Sequence, residues 1–395
     1  LQVESLLREI EKQIEYGDET PEIRELRGNI SVFRGYFAML AGDYTRAIEL
    51  TLSAEALLPE RSVQARSILP YTLGASHRGK GEYEEARLAF VHLAKIGEAA
   101  NELLIWATAE TEVINTLRAL GRLREANETA RLALEKMKEK GVLNFGSLAK
   151  LEVALCDVLR DQNELDEAHQ RVLGVIKRMS AWDMPTDRLF AYLALTRIRE
   201  AQGDFAGAFE VLKIAKELRS AHPVLAALSR SVDIYEIRLL LATHDISAAA
   251  RLMDALHPGV SQMVNLRDQE LIMLARVRLA QGKYDEAAAI LAPLSASAEA
   301  GARRSAFLES LTLQACVAEA QGKREAAITI LMKTLTLAEP EGLLRLFVEE
   351  GEGMWSLLTV AARQLKSVSD TGVSLLKDYI NKILEAFPAD FKAGT

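Results

Sequence analysis

Apolar side chains recur every three or four residues through most of the chain, which is the spacing of one face of an α-helix. After Gly81, for example, Tyr83, Ala86, Phe90 and Leu93 are separated by three, four and three positions. Later segments repeat this pattern as Leu165, Ala168, Val172 and Val175, as Phe205, Ala208, Leu212 and Ala215, and as Tyr284, Ala287, Leu291 and Leu294. The pattern predicts an all-α fold of amphipathic helices.

A short phrase accompanies these helices: a turn residue, in most copies an aromatic or aliphatic residue two positions later, and an alanine five positions later. It occurs eight times at intervals of 38 to 42 residues, with a mean near 40. The turn residues are Gly42, Gly81, Gly121, Asn163, Gly203, His244, Gly282 and Gly322, and the alanines are Ala47, Ala86, Ala126, Ala168, Ala208, Ala249, Ala287 and Ala327. Gly, Asn and His tolerate the left-handed backbone that ends a helix, so each copy predicts a helical hairpin. The small alanine is expected where two helices cross closely.

The repeat suggests a division into three parts. We expect a lead helix over 1–20, hairpins over 21–340, and helices over 341–395 that cap the last hairpin and continue as a linker. Most prolines lie where hairpins join. Two prolines fit the repeat less well: Pro70 predicts a late start for the first helix of copy two, and Pro293 predicts a kink or an early stop in copy seven.

Composition narrows the function classes. The formal net charge of −8 and pI near 5.5 argue against a nucleic-acid or membrane-surface binder. Two cysteines in apolar helical stretches, Cys156 and Cys316, do not support a disulfide framework or a cysteine-rich metal site. The sequence has no apolar run of about 18 residues and no signal-peptide pattern at its start, so we expect a cytoplasmic protein. Its first residue, Leu1, suggests a piece of a longer chain.

The sequence contains no complete motif for a catalytic site. The segment from Gly74 to Gly81 has the spacing of a phosphate-binding loop up to Lys80, but Gly81 stands where Ser or Thr would hold magnesium. The six histidines form no i, i+4 pair and no HExxH motif, and the sequence contains no G-x-S-x-G elbow. We therefore predict no catalytic residues, no metal site and no cofactor.

Polar residues recur on the first helix of each copy. Arginines stand three residues before the turn in copies two to four and six residues before it in copies five to seven. Because three and six residues are close to one and two helical turns, these groups share one side of their helices. The predicted ligand- or partner-binding residues are Tyr36, Tyr71, Arg78, Asn115, Arg118, Asp157, Arg160, Arg197, Arg238 and Arg276.

Two hypotheses explain this arginine row. In the first, the guanidinium groups bind an anionic ligand or an acidic peptide. In the second, they pair with neighbouring acids and hold adjacent repeats in register. The candidate acidic neighbours are Glu110, Glu112, Glu152, Asp157 and Glu200.

The second copy, from Tyr71-Thr72-Leu73-Gly74 to Phe90, resembles the tetratricopeptide (TPR) consensus. The period near 40, the opening phrase of 21–28 and the tail phrase of 341–351 with Met354 resemble the superhelical domain of MalT-type, ATP-dependent LuxR-family transcription activators. The resemblance implies a right-handed superhelical solenoid of about eight hairpins with a helical cap. It also implies a sensor for a small-molecule inducer or a protein partner, joined in its parent chain to an ATPase module and a DNA-binding module.

The leading functional hypothesis is therefore a sensing domain of such a regulator, with its site in the concave groove and no direct contact to nucleic acid or membrane. The alternative is a free-standing TPR adaptor that assembles a protein complex. A P-loop upstream and a helix-turn-helix downstream in the parent reading frame would separate the two.

Overall fold

The computed structural model of the chain describes residues 2–14, 19–142, 149–179, 184–365 and 371–388. Within these ranges the backbone forms twenty α-helices and a short 3-10 helix at Glu339–Glu341, without strands. The helices are α1 (Gln2–Ile14), α2 (Pro21–Leu40), α3 (Tyr44–Leu57), α4 (Val63–Lys80), α5 (Tyr83–Ala99), α6 (Leu103–Ala119), α7 (Leu123–Glu139), α8 (Ala149–Asp161), α9 (Leu165–Met179), α10 (Pro185–Ala201), α11 (Phe205–Ala221), α12 (Ala226–Ala242), α13 (Ile246–Leu256), α14 (Val264–Ala280), α15 (Tyr284–Ala300), α16 (Arg304–Ala320), α17 (Arg324–Ala338), α18 (Arg345–Val348), α19 (Gly351–Gln364) and α20 (Thr371–Ala386). The predicted all-α fold is confirmed.

Each of the eight predicted turn residues separates two of these helices and has a positive φ, from +63° at His244 to +84° at Gly42. This left-handed conformation closes the first helix of each copy and lets the chain reverse. The alanine five residues after every turn is fully buried. The helical-hairpin repeat is therefore confirmed in all eight copies.

The helices group into two compact units. The first ends at Thr116 and also includes Gln262–Val264, and the second comprises the other described residues from Leu117 onward. In the first unit, α3 packs between α2 and α4, and α5 packs on α4. In the second, successive helices from α7 to α13 pack on one another, as do α15, α16 and α17. Each unit is a stack of hairpins in which a helix contacts its own partner and the next copy.

The two proline predictions were wrong on helix length. Helix α4 begins well before Pro70, at Val63, and α15 continues past Pro293 to Ala300. A proline inside a helix costs about 3 kcal/mol, but tertiary packing outweighs it in both places. Leu69 is buried against copy one, and Leu294 is buried against the helix that follows α15.

The chain ends in the predicted cap. Residues of α18, α19 and α20 form one apolar cluster with the buried faces of α16 and α17, including Phe347, Met354 and Ile383. Trp355 meets Phe387 edge to face at 5.3 Å between ring centroids. The cap thus covers the apolar surface that the last hairpin would otherwise expose. Helix α2 begins at Pro21, and a 3-10 helix spans Glu339–Glu341. The division of the chain into a lead helix, a repeat domain and a cap at residues 20 and 340 stays a prediction.

Candidate functional site

The ten predicted binding residues all lie on first helices of the repeats, Arg160 buried and the other nine half-buried. Tyr36 is on α2, Tyr71 and Arg78 are on α4, Asn115 and Arg118 are on α6, Asp157 and Arg160 are on α8, and Arg197, Arg238 and Arg276 are on α10, α12 and α14. The residues from Tyr36 to Asn115 belong to the first unit and those from Arg118 to Arg276 to the second. The structure therefore divides the predicted row into two separate groups.

In the first unit, Arg78 pairs with Glu112 of the next first helix. Its guanidinium also lies over the ring of Phe90, 5.7 Å from the centroid, and Tyr71 meets that ring edge to face at 6.2 Å. Burial raises the pKa of Tyr71 to about 12, and the charge of Glu112 adds to the increase. Tyr36 is close enough to add a smaller contribution of the same sign. This group combines an ionic contact between the consecutive first helices α4 and α6 with an aromatic contact between α4 and α5.

In the second unit, ion pairs connect one first helix to the next. Arg118 donates to Asp161 at 2.7 Å and to Asp157 at 3.2 Å, both on α8. Asp157 also accepts from Arg197 of α10. Arg197 in turn donates to the hydroxyl of Tyr235 on α12, at 3.0 Å. The partners lie about one repeat apart in sequence, so the network follows the stacking direction.

The rest of the network contains two acids from the C-terminal tail. Glu349 accepts hydrogen bonds from Arg160 and Arg238, which stand on α8 and α12. Arg238 also donates to Glu200 at 2.6 Å. Glu350 accepts from Arg276 of α14 at 2.6 Å. Three arginines of the predicted row therefore end on carboxylates of the chain's own tail.

The arginines determine the charge state of these acids. Burial by itself would raise the pKa of Glu349, but Arg160 and Arg238, with smaller contributions from other arginines, outweigh it and hold the pKa well below its usual range. At Asp161 burial is again outweighed, chiefly by Arg118 and Arg160, and the pKa is lowered to about 2. Both side chains are therefore charged at neutral pH.

Comparison with known proteins identifies the fold. The family model described as the MalT-like TPR region matches residues 28–364, which is most of the chain. The chain belongs to the MalT-like TPR family. Among curated proteins, the HTH-type transcriptional regulator MalT of Yersinia pestis (strain Pestoides F) is 25% identical over 332 residues, 83% of this chain and 36% of that protein. MalT of Serratia proteamaculans (strain 568) is 25% identical over 357 residues, 89% of this chain and 39% of that protein.

The chain thus spans little more than a third of the length of the curated relatives it matches. Among solved structures, the crystal structure of Rap protein complexed with competence and sporulation factor is similar at a TM-score of 0.46 and 15% identity. The match covers 100% of this chain and 92% of that one.

Within this MalT-like TPR region, the arginine row shows the pairing that the second hypothesis describes. Glu112, Asp157 and Glu200 each join an arginine of a neighbouring first helix. Glu152 pairs instead with Arg178 and Arg171 of the second helix in its own copy. Ligand binding by the row remains a prediction.

The sequence pattern predicts a cap for the tail of the MalT-like TPR region and does not identify its acids as site residues. The repeat does not indicate that Glu349 and Glu350 contact the arginines, because the phrase around these two acids has no counterpart in the eight copies. One signal was available: two adjacent carboxylates directly follow an apolar run that ends at Val348. Acids in such a phrase require cationic partners if they are to be buried.

Other chemistry is sparse. In the described ranges, no three His, Cys, Asp or Glu side chains are grouped so as to hold a metal ion. Burial raises the pKa of the Cys156 and Cys316 thiols, which keeps them protonated. The segment from Gly74, which has the spacing of a phosphate-binding loop, lies inside α4 as far as Lys80. A Cβ on Gly74 would come within 2.6 Å of the Phe90 ring, so this glycine allows close helix packing. None of the described helices has the length and apolar character that a membrane crossing needs.

Proposed function

We propose that this MalT-like TPR region is the sensing part of a transcription regulator and that it binds an inducer or a protein partner along the charged face of its first helices. The ionic network of the second unit is the observation that supports this. Through Glu349 and Glu350 of the tail it connects residues from α6 to α14, and its members are mostly less than a fifth exposed. A ligand that alters one ion pair in such a network changes the packing of several repeats.

The named relatives are HTH-type transcriptional regulators, and this chain corresponds to only part of them. We therefore include in the proposal that the sensing part acts on other modules of its parent chain, namely an ATPase and a DNA-binding module. Binding would favour one arrangement of the repeats over another, and the difference in affinity between the two arrangements would set the size of the response.

A thermal-shift screen of the purified chain against sugars, sugar phosphates, nucleotides, organic acids and acidic peptides tests the proposal. A compound that binds only the native state stabilises it by about 2.7 kcal/mol at a hundredfold excess over its dissociation constant. We expect a hit whose affinity, measured by calorimetry, falls in the double variant Arg118→Ala with Arg160→Ala.

The matched control is Arg324→Ala, which removes an arginine whose side chain is 55% exposed and pairs with Glu319 of its own copy. Circular dichroism at the temperature of the titration establishes that each variant is folded. A hit with the same affinity for the double variant and the control would place binding elsewhere and contradict the proposal.

A further inference from the structure

The tail segment Arg345–Glu350, here called the tail insert, lies against the charged face of the second unit. Its two acids are nearly removed from solvent, with the Glu349 side chain 10% exposed and that of Glu350 7% exposed. Isolated carboxylates are not buried to this degree because the loss of hydration is too costly. The insert is therefore held at a site with charges prepared for it.

That site is built from three first helices. Arg160 of α8 and Arg238 of α12 both contact Glu349, and Arg276 of α14 contacts Glu350. Each of these arginines also has one acid of the repeats beside it. The pairs are Arg160 with Asp161 at 2.8 Å, Arg238 with Glu200 at 2.6 Å and Arg276 with Glu309 at 3.7 Å. The tail acids thus give each of the three arginines a second carboxylate partner.

The other end of the insert has the opposite charge. Arg345 donates to the side-chain oxygen of Asn163 and to the carbonyl of Ala201, both at 3.4 Å. Ala201 is the last residue of α10, and a cation is favourable at the C-terminal end of a helix. Arg345 also donates to Glu349, four residues later in the insert, at 3.4 Å. The insert therefore places one cation and then two acids in a fixed order along the repeats.

The insert is part of the cap, and both Phe347 of the insert and the preceding Leu343 contact α20. The hydroxyl of Tyr379 on α20 donates to the carbonyl of Leu343 at 3.0 Å. The ring of Tyr379 meets Phe347 edge to face, with centroids 6.2 Å apart. Movement of the insert away from the arginines would disturb these contacts, so occupancy of the site is linked to the packing of α20.

We propose that the charged face of the second unit is a binding site for an acidic peptide segment with two adjacent carboxylates, and that the tail insert occupies this site until such a segment replaces it. This rests on the proposed function, because it names the partner class and the regulation of the same face. A peptide is favoured over a small anion because the occupied site spans three helices and contacts two carboxylates and the cation of Arg345. Replacement loosens the packing of α20 on α18, because Tyr379 loses its contact with Phe347.

A fluorescent peptide with the sequence of residues 342–351 tests the exchange. Its affinity is measured by anisotropy for the wild-type chain, for the double variant Glu349→Gln with Glu350→Gln, and for the control Glu352→Gln, which changes an exposed acid of the same tail. A tethered segment competes at a millimolar effective concentration, so we expect the double variant to bind the peptide at least about tenfold more tightly than wild type or control. A peptide with glutamine at both acid positions should bind none of the three.

A second measurement uses only the wild-type chain and so does not depend on the stability of the variant. At saturation the acidic peptide should increase amide hydrogen exchange in α20, and the glutamine peptide should not. Equal affinity for wild type and the double variant, or unchanged exchange in α20, would overturn the inference. If a hit from the thermal-shift screen depends on Arg118 and Arg160 while these peptide results are negative, the proposed function stands. The inference that the tail insert occupies the binding site then fails.

Discussion

Glu349 accepts a hydrogen bond from Arg238, although the two residues are 111 positions apart in the chain. Their side chains are 10% and 16% exposed, so the pair is largely shielded from water. Such a pair is weak evidence for net stability, but removing Glu349 leaves Arg238 with Glu200 as its remaining carboxylate partner. The contact joins the tail to the sixth repeat, and it makes the position of the tail sensitive to charge.

Glu349→Gln should lower the stability of the second unit by about 1–3 kcal/mol, because Arg160 and Arg238 each lose one of their two carboxylate partners. Urea unfolding followed by circular dichroism measures the change. Glu352→Gln serves as the control and should stay within about 0.5 kcal/mol of wild type, as expected for a surface substitution. Equal midpoints for the two variants would show that the buried pair contributes nothing.

The contribution of Asp161 should depend on pH. Its pKa is about 2 in the folded chain against an ordinary value of 3.8. A carboxyl with a lowered pKa in the folded state adds stability that is complete above its unfolded pKa and is lost as pH falls through the folded value. Wild type should therefore exceed Asp161→Asn by on the order of 2 kcal/mol at pH 5, and the gap should narrow between pH 4 and pH 2. A gap that is constant from pH 5 to pH 2 would contradict the lowered pKa.

Ala287→Leu should destabilise the chain by about 1–3 kcal/mol, since Ala287 is fully buried five residues after a turn and a leucine there overpacks the helix crossing. Ala289→Leu adds the same atoms to the exposed side of the same helix, α15, and should have little effect. Thermal unfolding of both variants compares them directly. A similar loss in both would mean that helix propensity, and not the crossing, is responsible.

Gly203→Ala should cost about 1–2 kcal/mol because Gly203 has a φ of +80° and the left-handed conformation is unfavourable for a residue with a Cβ. No atom lies within 4 Å of that Cβ, so backbone strain is tested without a steric clash. Gly353 is equally open but helical, and Gly353→Ala should raise stability by about 0.5 kcal/mol. Melting temperatures that shift in the same direction for both would refute the assigned turn role.

The sequence by itself determined the repeat. Turn residues with a positive φ, the buried alanine five positions later and the three-and-four spacing of apolar residues are local constraints, and a period near 40 brings them back eight times. For this reason the hairpins and the capping helices were predictable. The alignment of the arginines on first helices was predictable too, because helical geometry fixes which side of a helix a residue occupies.

Only the tertiary structure decided what those arginines contact. The pairs that join Arg160 and Arg238 to Glu349 span 189 and 111 residues, and no local period relates their members. Likewise, the sequence alone overestimates how strongly Pro70 and Pro293 disrupt their helices. The packing of Leu69 and Leu294 offsets the cost of a proline inside a helix, and that packing is not visible in the local sequence. Repeats fix the faces that side chains share, whereas the partner of a buried charge depends on which distant segment folds back to neutralise it.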